Sequence, residues 1–490
     1  ARAARAGFDV RDVRCPPSPA TPSGGAGQGE GMVPSNSAPM APFQSEHLAW
    51  RSAAAVAAPA APSLRRSSTS DLPSTVRDEA GGGGFARVER KLKTMPSSSD
   101  LSRHDDVHIS PQARAHLHKL HEARKAAGDV PDGSPAGLAG TTDEALEAAW
   151  GANGSWTAYG IRPADGFEKK FTSRDLQVLP TTTPRPASFV VEHGLGAINT
   201  KGHKGCMDRS CGQDACSLSH LDSGWDVLCV MDGHGLDGDW PSSRAVRTLP
   251  WVLQHTQGCA TMLRHGKVEA ALHHAFDKVQ VDLVRASLFE DVDLECAGCT
   301  AICVLHHDAS DHLWVANVGD SRAVLIMPGR GAVAQTTDHK FNVPAEVERL
   351  ERMGCEVSRT THDDGFVEER VNLRGEDYPG LCMSRSLGDL CLKDHGVIHH
   401  PEVYQWDLRG IDRAGCHVLV ASDGVWEFIS TESATGIVSA ALAKGATCHD
   451  ACEALLAASR EAWMQCEDGG YCDDITIVLA PVMQPQRRRP

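Results

Sequence analysis

The chain has 490 residues, with 48 Lys+Arg against 64 Asp+Glu and a formal net charge of −16 at pH 7. That length holds one large domain with extensions, or two domains; the acidic balance argues against nucleic acid as a partner, and no apolar run is long enough for a membrane span. The 17 cysteines are odd in number and scattered, and Cys229 and Cys303 lie inside apolar runs, which suits a reduced cytoplasmic or nuclear chain better than a disulfide framework.

Residues 1–140 carry a net charge of +3 and the remainder −19. The first hundred residues are rich in Ala, Gly, Pro and Ser, with an unbroken run from Gly81 to Gly84. Such a stretch cannot bury enough apolar area to offset its ordering entropy, so residues 1–140 are expected to be a disordered, low-complexity extension. Its Arg- and Ala-rich opening has transit-segment character, which Asp9 and Asp12 weaken. Two similar serine-rich segments, Ser67 to Leu72 and Ser97 to Ser102, read as filler or, with Arg65-Arg66 ahead of the first, as sites for a basophilic kinase. Ser110 as cap and Pro111 at the first position predict a polar helix over 111–127. Residues 141–188 read as a linker with short helices, one near 141–151, and a Thr- and Pro-rich stretch at 180–188.

Farther on, apolar runs predict strands near 226–232, 300–306, 313–318, 323–327, 417–422 and 475–481. Between them, Val268, Leu272, Ala275, Phe276, Val279 and Leu283 recur at helical spacing and predict a helix at 266–288 that packs on a sheet. Pro344 and Gly354 bracket another helix, and two more are expected at 432–443 and 449–466. Residues 355–380 are polar and read as a turn-rich loop, whose Glu368, Glu369 and Glu376 would favour basic substrates if they face a cleft. Strands and helices do not alternate strictly, so a doubly wound parallel sheet is disfavoured.

Four of these strands present aspartate at one end: Asp232 after Val227–Met231, Asp320 after Leu313–Gly319, Asp423 after Val418–Ser422, and Asp473-Asp474 before Ile475–Leu479. Asp232 stands in Asp232-Gly233-His234-Gly235, where glycines let backbone approach a ligand closely. Carboxylates gathered at strand ends repel one another and resist burial, and a bound cation is the simplest remedy. Oxygen donors suit magnesium, manganese or calcium, and two such ions can activate a shared water and clamp a phosphoryl group. Metal-assisted hydrolysis of a phosphate ester is therefore expected.

Here the chain resembles the metal-dependent protein phosphatases of type 2C. The pieces run in that family's order over 190–482: Lys201-Gly202-His203-Lys204-Gly205 with Arg209 and Gln213-Asp214, Val230 to Gly235, Gly298 to Ala301, Asn317 to Arg322, Asp338-His339-Lys340, Met383 to Asp389, Ala421 to Glu427, and Asp473 to Thr476. The resemblance implies an α+β fold, two packed antiparallel β-sheets flanked by helices, over a catalytic domain at 189–484. It implies metal-dependent hydrolysis of phosphoserine and phosphothreonine in phosphoprotein substrates, by a monomer holding two Mg2+ or Mn2+ ions and a weaker third. By position, Asp232 resembles the carboxylate that bridges the two ions and the Gly233 carbonyl the ligand beside it. Asp423 and Asp473 resemble further ligands, Asp320 a ligand of the third ion, and Asp214 a holder of metal-bound water. Arg209 resembles the phosphate-binding arginine, whose planar fork takes two oxygens. His234 resembles the histidine that protonates the leaving alkoxide, and an ordinary imidazole pKa of about 6.5 suits that task. Asp389 matches a position expected to act at most through its neighbours.

The chain departs from the family at Gln213, where Glu is common; an amide oxygen can ligate but cannot cancel charge. A catalytically impaired binding module of the same fold is the alternative. A covalent-aspartate phosphatase built on Asp291-Val292-Asp293 lacks the apolar strand such a motif needs. Cys206, Cys211 and Cys216 near His203 and His220, and the Cys296/Cys299 pair, depart from zinc-ribbon spacing.

Overall fold

The computed structural model describes residues 111–127, 138, 142–160, 170–172, 177–179, 194–204, 211–362, 367–467 and 469–482, all within one compact unit. Two sheets form its centre, and every strand pair in them is antiparallel. The seven-stranded sheet runs, in spatial order, Glu402–Asp407, His312–Val318, Ala301–His307, Trp225–Met231, Ala215–His220, Trp156–Gly160 and Gln177–Leu179. The six-stranded sheet runs Gly331–Gln335, Arg322–Met327, His417–Ala421, Ile475–Pro481, Gly196–Thr200 and Lys170–Thr172.

Strand alternation decides which side chains meet. Along Trp225–Met231, Leu228 and Val230 join the core between the sheets, while Val227, Cys229 and Met231 join an outer core. Along Ile475–Pro481, Val478 and Ala480 face the partner sheet, and Ile475, Ile477 and Leu479 face away. Both faces are covered, so these strands are continuous apolar runs rather than alternating ones. The helices Asp239–His255, Gln257–Arg264 and Val268–Glu290 cover one outer face. Thr431–Ala443 and Cys448–Cys466 cover the other.

All six apolar positions expected on the Val268–Glu290 helix are buried. Phe276 is fully enclosed, and Phe276→Ala would cost about 3–5 kcal/mol by loss of burial and the cavity left behind. The Asp239–His255 helix is not evident in the sequence because Pro250 sits inside it, and proline normally ends a helix. Tertiary contacts compensate: buried Arg244 donates from Nε and Nη2 to Asp282 at 2.8 and 3.0 Å, tying this helix to Val268–Glu290.

Three regions differ from expectation. The polar stretch 355–380 is not a loop but a three-stranded sheet of Cys355–Thr361, Val367–Leu373 and Pro379–Leu381. Its acids are held by local cations: Arg359 bonds Glu369 at 2.5 Å, and Arg370 and His362 bond Glu368 at 2.5 and 3.1 Å. Those two glutamates are thus neutralised within the sheet. The stretch 141–188, read as a linker, supplies Trp156–Gly160 and Gln177–Leu179 to one sheet and Lys170–Thr172 to the other. Finally, the helix Pro111–Ala127 places Ala113 and Leu117 in a core shared with Phe341 and Tyr378. Arg124 donates from Nε to the buried Glu295 at 2.9 Å.

The serine-rich segments near 67–72 and 97–102 and the opening of the chain lie outside the described residues. Among the described residues, no helix is long and apolar enough to cross a membrane, and Cys229, Cys299 and Cys303 are buried free thiols.

Candidate active site

Registers place the expected aspartates at one end of the sandwich. Ala215 pairs with Met231, so Asp214 and Asp232 leave neighbouring strands side by side. Thr300 N donates to the Asp232 carbonyl at 2.8 Å and Thr300 Oγ1 accepts from Asp232 N at 3.0 Å, which aligns the next strand. At the same end the chain crosses between sheets through Gly319-Asp320-Ser321, fastened by a 2.7 Å bond between the Thr300 and Ser321 hydroxyls. Arg322 pairs with Ala421 across the second sheet, which brings Asp423 to the same corner. Asp423 opens the short helix Asp423–Trp426.

Close backbone contact makes this corner possible. A Cβ on Gly424 would lie 2.0 Å from the Asp474 carbonyl oxygen, and one on Gly233 would lie 2.1 Å from the Gly238 carbonyl oxygen. Only glycine fits at either position without displacing backbone. From behind, Trp463 Nε1 donates to the Gly424 carbonyl at 2.7 Å and Trp426 Nε1 to that of Ala421 at 2.9 Å. Two buried indoles thereby set the segment that carries Asp423.

The adjacent Asp473 and Asp474 divide their tasks. Asp474 is turned inward and accepts from the backbone N–H groups of Gly202 and Gln213, both at 2.6 Å. It joins three chain segments and is saturated by that work. Asp473 accepts from Asp474 N at 2.7 Å, and the Lys204 ammonium lies 3.3 Å from its Oδ1.

Asp214 is buried and under-bonded. Ser422 Oγ donates to its Oδ2 at 2.7 Å, while its buried Oδ1 accepts no hydrogen bond among the described residues. Burial first, and then the Asp474 charge, push its carboxyl up to about 7. Asp320 is also buried, and neither of its oxygens accepts a hydrogen bond among the described residues. The Lys340 ammonium lies 3.3 Å from Asp320 Oδ2 and 3.4 Å from Glu427 Oε2. Burial opposes the charge on Lys340, yet Glu427, Asp320, Asp423 and Asp338 together hold its pKa well above the usual value. An ammonium that four carboxylates stabilise marks where negative potential collects.

His234 lies beside this cluster and is buried. Its Nε2 is 2.8 Å from Asp389 Oδ2, a contact across 155 residues. Asp389 also accepts from the Ser386 hydroxyl. Lys393 Nζ donates to the carbonyl and hydroxyl of Ser386 at 2.8 and 3.0 Å. Burial alone would raise the Asp389 carboxyl, but the His234 ring, Lys393 and Ser386 bring it below its ordinary range. Burial lowers the Lys393 ammonium to about 8 against the pull of Asp389. The result is an ionised carboxylate that fixes the orientation of the ring.

Gln213 is a scaffold residue. Its Nε2 donates to the Gly235 carbonyl at 2.6 Å, and its own carbonyl accepts from Gly233 N at 3.2 Å. A carboxylate in this pose would face a carbonyl oxygen and be repelled. Arg209 lies outside the described residues.

Other expected motifs resolve into ordinary structure. Asp291 caps the Val268–Glu290 helix in the left-handed region at φ 63° and pairs with Lys125, so it is no strand-borne nucleophile. Cys216 packs between the sheets and His220 bonds Asp226 at 2.7 Å. Cys206 lies outside the described residues.

The donor set fits a hard cation. It offers carboxylate and backbone oxygens, Asp214 Oδ1 and both oxygens of Asp320 are buried and accept no hydrogen bond among the described residues, and the local charge is strongly negative. Sequence reasoning assembled the aspartates and expected Asp389 to act through a neighbour, but it did not identify that neighbour or the roles of Lys340 and Asp474. The motifs containing all three are visible, yet their partners lie far away in the chain.

Comparison with known proteins gives the family to which the chain is similar. The model of the protein phosphatase 2C family matches residues 194–464. The chain is 34% identical over 259 residues to probable protein phosphatase 2C 64 of Oryza sativa subsp. japonica, across 51% of this chain and 57% of that protein. It is 31% identical over 309 residues to probable protein phosphatase 2C 61 of Arabidopsis thaliana, across 61% of this chain and 88% of that one. Among solved structures, serine-threonine phosphatase 2C from Toxoplasma gondii aligns at 22% identity with a TM-score of 0.46, covering 58% of this chain and 94% of the other.

Proposed function

Because the chain belongs to the protein phosphatase 2C family, we propose that it hydrolyses phosphoserine and phosphothreonine in proteins with Mg2+ or Mn2+ as its cofactor. The observation that carries this reading is the buried, under-bonded carboxylate cluster beside a histidine that a second carboxylate braces. Asp232, the Gly233 carbonyl, Asp423 and Asp473 would hold two ions, with Asp214 holding metal-bound water and Asp320 serving a weaker third ion. When bound, such ions lower the pKa of a shared water and clamp the phosphoryl oxygens.

The chain's own residues do the rest. Arg209 receives two phosphate oxygens. His234 protonates the departing seryl or threonyl oxygen. Asp389 engages Nε2, so proton delivery falls to Nδ1. The Asp389 carboxylate holds the ring in place for that donation. Residues 189–484 form the catalytic unit in this reading. The buried free thiols of Cys229, Cys299 and Cys303 support a cytoplasmic or nuclear setting.

Hydrolysis of a phosphothreonine peptide, with and without added Mn2+ and with excess chelator, tests the proposal. Turnover that needs the metal and stops in chelator is expected. Turnover unaffected by chelator, or peptide binding without turnover in either metal, would overturn it.

A further inference from the structure

A second group of metal-ligating side chains lies where the Val268–Glu290 helix passes residues 398–400. Asp277 Oδ1 is 3.2 Å from His399 Nε2 and 3.4 Å from His400 Nδ1. All three ligand atoms lie within 4.8 Å of one another. Two ligands bound to zinc at about 2.0–2.1 Å with a tetrahedral angle stand roughly 3.3–3.4 Å apart. The carboxylate oxygen therefore already sits a tetrahedral edge from each imidazole nitrogen.

The pose is pre-arranged. The two rings stack at 4.5 Å, so adjacent residues present different nitrogens, Nε2 and Nδ1, toward one carboxylate. Ser386 N donates to the Ile398 carbonyl at 3.1 Å, and Arg385 Nη1 to that of His400 at 3.0 Å. On the helix side, Gln280 Oε1 accepts from Gly388 N at 2.9 Å, one turn beyond Asp277. The group is reachable from solvent: the His399, Asp277 and His400 side chains are 20%, 45% and 56% exposed. Burial opposes it, but His399 leads the groups that hold the Asp277 carboxyl below its ordinary range. The carboxylate is therefore ionised at neutral pH, as a ligand must be.

We propose that Asp277, His399 and His400 form a transition-metal site of the zinc class, separate from the carboxylate cleft, with water completing a four-coordinate shell. Two imidazoles and one carboxylate select zinc, cobalt or copper, whereas the all-oxygen cleft selects magnesium or manganese. A metal here would pin the Val268–Glu290 helix to the 385–400 segment, which also carries Asp389 behind His234. The inference stands on this cluster and does not depend on the phosphatase reading.

Cobalt(II) distinguishes the two sites, since a four-coordinate nitrogen-containing shell absorbs visible light strongly and a six-coordinate oxygen shell only faintly. Co2+ titrated into the full chain in excess Mg2+ is expected to give intense visible bands saturating at one equivalent. Those bands should persist in Asp232→Ala and vanish in Asp277→Asn and His399→Ala. Zn2+ under the same conditions should raise the melting temperature of the parent chain but of neither variant, which also reports that both variants fold. Absence of intense bands, their persistence in His399→Ala, or the accompanying near-ultraviolet absorption of a cobalt–thiolate bond would overturn the site. So would a parent melting temperature that does not respond to Zn2+ while both variants melt lower than the parent without metal, the behaviour of an ion pair only.

Discussion

Glu346 and Asp214 are both buried carboxylates, 3% and 2% exposed, in opposite electrostatic settings. Glu346 accepts from Arg349 and Arg385, each at 2.6 Å, and from Arg385 Nε and the Ser384 hydroxyl. Burial opposes its charge, yet Arg349, Arg385 and Ser384 hold it far below the usual carboxylate range. Asp214 has one serine hydroxyl, an oxygen without a hydrogen bond among the described residues, and two aspartates as neighbours. A buried charge with a purely structural task is saturated by fixed cations. At Asp214 the fold leaves the charge uncompensated, which disfavours the empty state and favours a cation that arrives from solution.

The contrast is open to experiment, and the largest effect is expected at the cleft. Asp232→Ala should reduce metal affinity and phosphopeptide turnover together, to background, while the fold persists. Calorimetric Mn2+ titration beside initial rates measures this, and normal metal affinity in an inactive variant would contradict it. Next, His234→Ala should keep its metal but slow phosphopeptide turnover by roughly 10²–10⁴-fold, the usual span for a general acid. With an aryl phosphate, whose leaving group needs no proton, the loss should be much smaller. Equal losses on both substrates would exclude proton donation.

The saturated carboxylate should behave in the reverse way. Arg385→Ala removes one of the two guanidiniums that hold Glu346 and should lower stability, by less than the roughly 3–5 kcal/mol of a fully broken buried pair because Arg349 remains. Denaturant unfolding in the absence of metal reads it, and Mn2+ affinity should hold steady in the same variant. A variant with parental stability would show that Arg349 alone suffices.

The last expected effect is a pH dependence of the metal-free protein. Burial and the Asp474 charge push the Asp214 carboxyl up to about 7 in the folded state, against about 3.9 unfolded. Between those values the folded state holds the extra proton, so stability should fall as pH rises from about 4 through 7. Asp214→Asn should flatten that decline, and Mg2+ should oppose it by replacing the proton. A decline unchanged in Asp214→Asn would assign it to another group.

Much of this protein is legible from sequence alone. Central strands buried on both faces must be apolar throughout, and the run Ile475–Pro481 is found with the bounds expected. Pro344 and Gly354 mark their helix because one presets its first turn and the other adopts the left-handed cap at φ 113°. The aspartates at strand ends were visible for the same reason: strand ends are where backbone leaves the ladder and side chains become available to a ligand.

Tertiary structure alone decided which of these groups do what. Asp473 and Asp474 are adjacent and chemically identical, but one is turned to backbone N–H groups and the other to Lys204. Asp389 acquires its role from a ring 155 residues away, and Asp277 its histidine partner from 122 residues away. The 355–381 sheet buries Cys355, Val371 and Leu381 in a core, and its polar side chains are satisfied by ion pairs, Arg359–Glu369 across strands and Arg370–Glu368 within one. Local pattern reports whether a residue is buried and in what periodicity. Which charge is compensated depends on distances between segments far apart in the chain, and only the packed fold sets those.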